Sequence, residues 1–522
     1  MPIVHQGSLN TTALVVPDLY VQIVPPQNLV LNGVPTNVVG VVGTASWGPV
    51  GQPVIVGTMT DYAVSFGPIM VRKHDMGTPV AAAVQQGAAN FRCVRVTDGT
   101  DTAAQFEVPG TNFLFTAVHT GSLGNQIAAV LGTGSQAGTW RLTLALPGGT
   151  PEVYDNIGGT GAVFWQNLTA AVNDGQGPQR GPSLLVVANA GGYAGAPVAF
   201  TWTFATGPVG TDGANVTALN LVGVDVMPRT GMFALRGLGC SLALLADEDD
   251  ATQWPAQAAF ALSEGIYMIL CGPAGDTVTN ALIVKQAAGL DTYACKLMFG
   301  DWIWWSDQVN AVVRLISPQG FVVGRLANLS PEQSSLNKPL YGVVGSQKSG
   351  TPGTGQTTTY SSVELQTMFR AGIDVISNPQ PGGFYWGVRC GHNSSSNAAT
   401  SGDNYTRLTN YIAATLAAGM GQYVGQVVNA ALFRRIRSTQ LSFLQNMLSQ
   451  GMLGSADGSV PFSVICDTSN NPQSRTSLGY VQSDAQIQYQ AINEKFIVNI
   501  EGGQTVTVTQ QSLANTPGSL AA

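Results

Sequence analysis

The chain has 522 residues, of which 44% are hydrophobic, only 10% are charged and 63 are glycine. That length fits about three or four domains. Charge this sparse, against about a quarter of residues in an ordinary soluble protein, predicts surface buried in subunit contacts, whose centres are depleted in charge. A formal net charge of -7, with Arg434-Arg435-Arg437 as the one basic cluster, argues against nucleic-acid binding.

Cys93, Cys240, Cys271, Cys295, Cys390 and Cys466 lie far apart with no CxxC pair, so they are expected as buried thiols in a reducing compartment. The opening MPIVHQGS has neither a basic n-region nor an apolar h-region, so export by a signal peptide is not expected. No charge falls between Arg407 and Arg434, yet Asn410, Gln422, Gln426, Asn429 and three glycines make that stretch too polar for a lipid-facing span. A buried helix pair is the expectation there.

Taken in chain order, the first element is a strand-like run, Leu14 to Val24, cut off from the next element by Pro25-Pro26. Asn37 to Val42 reads as a short buried strand, and Thr58 to Phe66 as a helix ended by Gly67. Thr78-Pro79 supplies a cap and a first-turn proline for a helix through Gln86, and Phe91 to Val96 alternates as a strand. From about Asp98 to Arg229 the texture turns to Gly, Thr, Ser and Asn. Short β-like runs recur there at Ala128–Leu131, Trp140–Leu146, Leu184–Ala188 and Ala199–Phe204, separated by turn signals. A β-rich domain inserted into an α/β one, lying outermost, is predicted.

The α/β pattern returns with strands at Cys240–Leu245 and Ile266–Leu270, each followed by a helix, about Asp250–Ser263 and Thr277–Ala288. That alternation implies a parallel sheet with crossovers. A Gly/Ser/Thr linker, Gly345 to Thr359, precedes long helices at about Thr406–Arg437, with a break near Gly419, and at Thr439–Leu448. The end carries a strand-like run from Lys495 to Ile500, then Glu501-Gly502-Gly503, then an alternating run from Gln504 to Thr509. Two detachable β-segments, one at each end, suggest a subunit that completes its neighbours' sheets.

Several passages, in order, resemble the contractile tail sheath proteins of bacteriophages and related injection machines. Pro17 to Val21 (PDLYV) is similar to that family's opening segment, and Val39 to Pro49 (VGVVGTASWGP) to its strand and turn. Phe66-Gly67 and Asn90 to Val96 match the next helix end and strand entry, and Gly121 to Asn125 (GSLGN) the start of its inserted domain. Ser317 to Leu340, Trp386 to Arg389 (WGVR), Gly451 to Gly454, Cys466-Asp467 and Asn470 to Pro472 fit its later passages. Where the family has paired arginines before the long helix, this chain has only Arg407.

The resemblance implies a fold of three parts: a central α/β domain of subtilisin-like topology, an inserted outer β domain, and an α+β C-terminal domain with strand-exchanging arms. The corresponding boundaries are 1–27 (N-terminal arm), 28–97 and 230–344 (core), 98–229 (insertion), 345–359 (linker), 360–502 (C-terminal assembly domain) and 503–522 (C-terminal arm). It implies a homo-oligomer of stacked rings or a helical array around an inner tail tube protein, with baseplate and tail terminator proteins as further partners. No nucleic acid, membrane insertion, cofactor, metal or catalytic residue is expected, and the place of action is the virion, after assembly in the host cytoplasm.

The arm residues expected to enter other copies are Leu14, Val15, Val16, Leu19, Tyr20, Val21, Gln22, Ile23 and Val24, with Thr505, Val506, Thr507, Val508 and Thr509 at the other end. Phe462, Val464, Phe496, Val498 and Ile500 are expected in the strands that receive them. Arg434, Arg435 and Arg437 are either a solvated helix end or a tube-facing patch.

Catalysis would have to use His5, His74, His119 or His392, and none stands in a GxSxG, HExxH or GxxxxGK[ST] context. Asp247 to Asp250 (DEDD) could ligate a divalent cation, or offset the free N–H groups of a helix start. Gly350 to Gly355 (GTPGTG) reads as linker more than phosphate cradle, and Trp302, Trp304 and Trp305 as a core or interface anchor more than a carbohydrate platform. The alternatives to a phage sheath are the sheath of a non-phage injection system, another lattice or capsid-type protein, and a parallel-sheet hydrolase.

Overall fold

A computed structural model describes residues 3–6, 20–23, 31–178, 180–351 and 358–502. At its centre is a seven-stranded sheet. In spatial order its strands are Ile373–Asp374, Cys295–Met298, Tyr267–Cys271, Leu242–Leu245, Val39–Gly43, Phe91–Arg95 and Pro53–Val56. All neighbours run parallel except the last, an antiparallel edge. Leu242–Leu245, Tyr267–Cys271 and Cys295–Met298 are buried at every position, as unbroken apolar runs require when helices cover both faces.

On one face, Gly77–Gln85 and Gln319–Ala327 pack together under Met59–Phe66. Gly320 and Gly324 make that contact close, for a Cβ at Gly324 would lie 2.4 Å from the Ala83 Cα. The other face is covered by Trp254–Glu264, Val278–Ala287 and Ser362–Arg370. A three-stranded antiparallel sheet (Ile303–Asp307, Val312–Ile316, Val343–Ser346) adjoins the core and was not legible as such in the sequence. Within it Trp305 is buried, its indole N–H donating to Gln85 at 2.9 Å, and Trp302 donates to the Gly272 carbonyl at 3.1 Å. Trp305 is a core anchor, Trp302 is buried as well, and Trp304 is half-buried.

Between the two halves of the core sheet runs the β-rich body. One sheet has the order Glu152–Ile157, Trp140–Ala145, Ala128–Thr133, Phe200–Thr203, and the other Val186–Asn189, Leu114–Thr120, Ala103–Glu107. Both share one core with the helix Ala162–Asp174, which turns Phe164, Trp165, Leu168 and Val172 inward. That helix was not expected in a β-rich segment.

Three boundaries differ from the expectation. Leu221 and Val222, assigned to the insertion, pack into the core. Ile373–Asp374 and Ser362–Arg370, assigned to the C-terminal domain, complete the core sheet and cover it. Val343–Ser346 takes the first residues of the supposed linker into a strand, while residues 352–357 lie outside the described residues.

The C-terminal region is a pair of long helices, Asp403–Met420 and Ala430–Ser449. The interruption falls at residues 421–429, where Gly425 takes φ of 85° and Asn429 caps the second helix by accepting from the Leu432 N–H at 2.9 Å. The predicted break before Thr439 is absent, because no glycine or proline interrupts residues 430–449. Residues 488–502 form neither helix nor strand, so the expected strand at Phe496–Ile500 is missing. A strand exists only as a member of a ladder, and among the described residues this run has no ladder partner. Residues 491–502 belong to a second unit, 491–522, separate from residues 1–490.

Candidate assembly interface

Past the helix pair, Phe462–Ile465 and Asp484–Ile487 form a two-stranded antiparallel sheet, in register Phe462↔Ile487 to Ile465↔Asp484. Its inner face is apolar: Val464 is buried with Leu408, Ile412, Phe443 and Leu444 of the helices, and Phe462 and Ile487 pack beside it. Its other face carries the exposed Ile465. Two strands are marginal on their own, and the helix pair supplies the surface that holds these.

The Gln488 N–H donates to the Pro461 carbonyl at 2.7 Å, which sets the phase of the ladder. Alternate pairs exchange bonds in an antiparallel ladder, so Ser463 with Gln486 and Ile465 with Asp484 exchange theirs. The backbone groups of Phe462, Val464, Ala485 and Ile487 then point away from the partner strand, to the two outer edges. On the Phe462–Ile465 edge, the Val464 carbonyl accepts from Arg437 Nε at 3.1 Å. On the Asp484–Ile487 edge, the outward groups of Ala485 and Ile487 have no hydrogen-bond partner among the described residues.

Of the other predicted site residues, Arg437 faces the sheet edge and not a separate basic surface; it comes after Phe433 by four positions, on the rim of the helix's buried stripe. Arg434 is exposed, and Arg435 is exposed with its Nη2 donating to Gln426 Oε1 at 2.7 Å. Tyr20–Ile23 pairs in parallel with Ile3–Gln6 of the same chain. Leu14, Val15, Val16, Leu19, Val24 and Thr505 to Thr509 lie outside the described residues. Phe496, Ile497, Val498 and Ile500 are all at least 60% exposed. The Asp484–Ile487 strand was not expected from the sequence; its only signal was the spacing of Ala485 and Ile487 in a polar run.

The acidic run lies at the carboxyl ends of the parallel strands, where the crossovers from Val39–Gly43 and Leu242–Leu245 diverge, the usual ligand position in such sheets. A cleft of about 530 Å3 opens there, lined by Thr44, Lys73, His74, Glu248, Asp249 and Asp250 among others. Its carboxylates are engaged by the chain itself. Asp249 pairs with Lys73 at 2.8 Å, and Asp250 caps the turn at Ala251–Gln253 by accepting from the Thr252 N–H. Glu248 accepts from the Asp250 N–H, and burial pushes its carboxyl up to about 7. Among the described residues no group of three or more His, Cys, Asp or Glu is placed to hold a metal ion. The Nδ1 of His74 is 2.8 Å from the Ala246 carbonyl, and the His119 ring meets Trp47 edge-on. All six cysteines are buried. Among the described residues no helix is long and apolar enough to cross a membrane.

One buried cluster ties the C-terminal helices to the core. Lys296 Nζ donates to Asp374 at 2.7 Å, to Asp403 at 3.0 Å and to the His392 carbonyl at 2.9 Å. Asp403, at the first position of its helix, also accepts from Tyr267 at 2.6 Å and from Ser335. Burial opposes its charge, but Lys296 and the hydroxyls of Ser335 and Tyr267 outweigh burial and hold its carboxyl at about 2.

The mixed α/β fold with several sheets matches those of solved contractile sheath proteins. The sheath tail protein of Desulfitobacterium hafniense superimposes with a TM-score of 0.58 at 16% identity, covering 85% of this chain and 92% of that one. The sheath tail protein of Listeria innocua gives 0.58 at 14% identity, covering 83% and 89%. The sheath of the extracellular contractile injection system PVC, in its contracted state, gives 0.53 at 13% identity and covers 95% and 99%. No sequence-family profile matches the chain, and no curated protein sequence is similar to it.

Proposed function

We propose that this chain is the structural subunit of a contractile tail sheath, polymerising around an inner tube and contracting to drive that tube through a target envelope. The observation that carries the reading is the two-stranded C-terminal sheet with an unpartnered edge, on a chain with the sheath fold. Strands from other copies complete that sheet. One comes from the N-terminal segment containing Tyr20–Ile23 and one from the C-terminal segment. The exposed Phe496–Ile500 belongs to this donated arm and not to the receiving sheet. Backbone ladder bonds survive rigid-body rotation if the flanking linkers bend; Pro25-Pro26 follows the N-terminal arm, and residues 488–495, neither helix nor strand, precede the C-terminal one.

Contraction needs a second kind of contact that differs between the two states, since equal contacts shift no equilibrium. Contacts among core domains of neighbouring copies serve, few before contraction and larger after it, with no nucleotide or metal required. The inner tube protein meets the C-terminal region, where the exposed Arg434 and Arg435 face its acidic surface. Baseplate and terminator proteins close the two ends, and the particle assembles in the host cytoplasm. A sheath of a non-phage injection system is the second reading, favoured by the PVC sheath's coverage of 95% of this chain.

Negative-stain microscopy of the purified full chain, beside a variant lacking all residues before Asn28, tests the proposal. The full chain is expected to form rings or tubes, and the truncated one folded monomers. Uniform small particles from the full chain, or tubes from the truncated one, would contradict it.

A further inference from the structure

The two edges of the C-terminal sheet differ in a way that bears on how copies join. At the Asp484–Ile487 edge the outward groups of Ala485 and Ile487 are unpartnered among the described residues. At the Phe462–Ile465 edge the guanidinium of Arg437 occupies the carbonyl of Val464, which an incoming strand must use. We propose that Arg437 is a guard: the Asp484–Ile487 edge takes a strand from a second copy freely, while the Phe462–Ile465 edge takes one only after Arg437 is displaced. The inference rests on the sheath reading, and it gives strand addition an order.

The occupant of the open edge is Phe496–Ile500 of a second copy. Phe496, Val498 and Ile500 alternate on one side of an extended chain. Laid beside Asp484–Ile487, that side continues the apolar face on which Phe462, Val464 and Ile487 meet the helix pair. Ile497, on the opposite side, then joins the face carrying Ile465. In the free chain these four apolar residues are at least 60% exposed, which a soluble subunit tolerates only if assembly covers them.

The guard is built to move. Arg437 is itself exposed, and it reaches the edge through the single bond from Nε. Asp467 gives the displaced guanidinium an acceptor. Its carboxyl is held down first by the hydroxyl and amide of Ser469, then by the charge of Arg437. One charge-assisted bond delays strand entry without forbidding it. Copies therefore join through the open edge first, and the guarded edge fills only at higher concentration.

The test compares the assembly threshold of the full chain with those of Arg437→Ala and Arg437→Lys, read by sedimentation and negative stain, with thermal melting to establish folding. Freed of one charge-assisted hydrogen bond, Arg437→Ala is expected to assemble at about tenfold lower concentration. Arg437→Lys, which keeps a donor, is expected to fall between. An equal or higher threshold for a folded Arg437→Ala would overturn the guard while leaving the sheath reading standing. Should the alanine variant unfold, the lysine variant decides on the same criterion. If all three proteins stay monomeric, guard and sheath reading fall together, because a guard needs a strand to exclude.

Discussion

Asp75 and Glu248 are carboxyls that the fold holds nearer neutrality than water would. Asp75 is buried, and burial pushes it up to about 7 although Thr78 donates to it from both amide and hydroxyl. Glu248 is pushed to the same region. The folded state therefore binds these protons more tightly than the unfolded chain does. Stability is penalised above pH 7 and recovers as pH falls through 7 toward the unfolded value near 4. Relative to Asp75→Asn, the wild type is expected to gain about 2 kcal/mol between pH 8 and pH 5. Denaturant titrations of both proteins at the two pH values measure it, and a pH-independent difference would contradict this origin. The opposite case is Lys296, fully buried between Asp374 and Asp403. Lys296→Met leaves two buried carboxylates without their cation and is expected to cost about 3–5 kcal/mol in denaturant unfolding. A cost under about 1 kcal/mol would place the cluster in solvent.

At the scale of elements, the contact between Gly77–Gln85 and Gln319–Ala327 turns on two glycines that let backbones meet. Alanine is the better helix former by about 1 kcal/mol, but its methyl at 324 would strike the backbone of Ala83. Gly324→Ala is therefore expected to destabilise by about 1–3 kcal/mol, whereas Gly132→Ala, with open space around it, is expected to be near neutral. Calorimetric melting of the two variants separates them. The parallel strands were legible because runs such as Leu242–Leu245 are apolar at every position, which only a doubly covered sheet explains. The helix Ala162–Asp174 was not, since its glycine-rich and threonine-rich surroundings outweighed its own periodicity. The Lys296 cluster could not be read at all: its partners lie 78 and 107 positions away, and no local pattern links them. Phe496–Ile500 has the composition of a strand, but composition does not say which molecule supplies the partner.

At the scale of the whole molecule, sparse charge and exposed apolar runs make sense together only if much of the surface is shared between copies. The buried ties from Lys296 to Asp403, and from Arg407 to the Leu329 and Ser330 carbonyls, join the C-terminal helices firmly to the core. On the proposed sheath reading, rearrangement on contraction is then left to the arms and the faces between copies. A helical reconstruction of the assembled particle, at a resolution that traces the backbone, tests this most directly. The expected result is extended segments of other copies hydrogen-bonded along both edges of the Phe462–Ile465/Asp484–Ile487 sheet, with Arg437 moved off Val464. Finding that sheet still two-stranded, with each chain's ends lying on its own body, would contradict it.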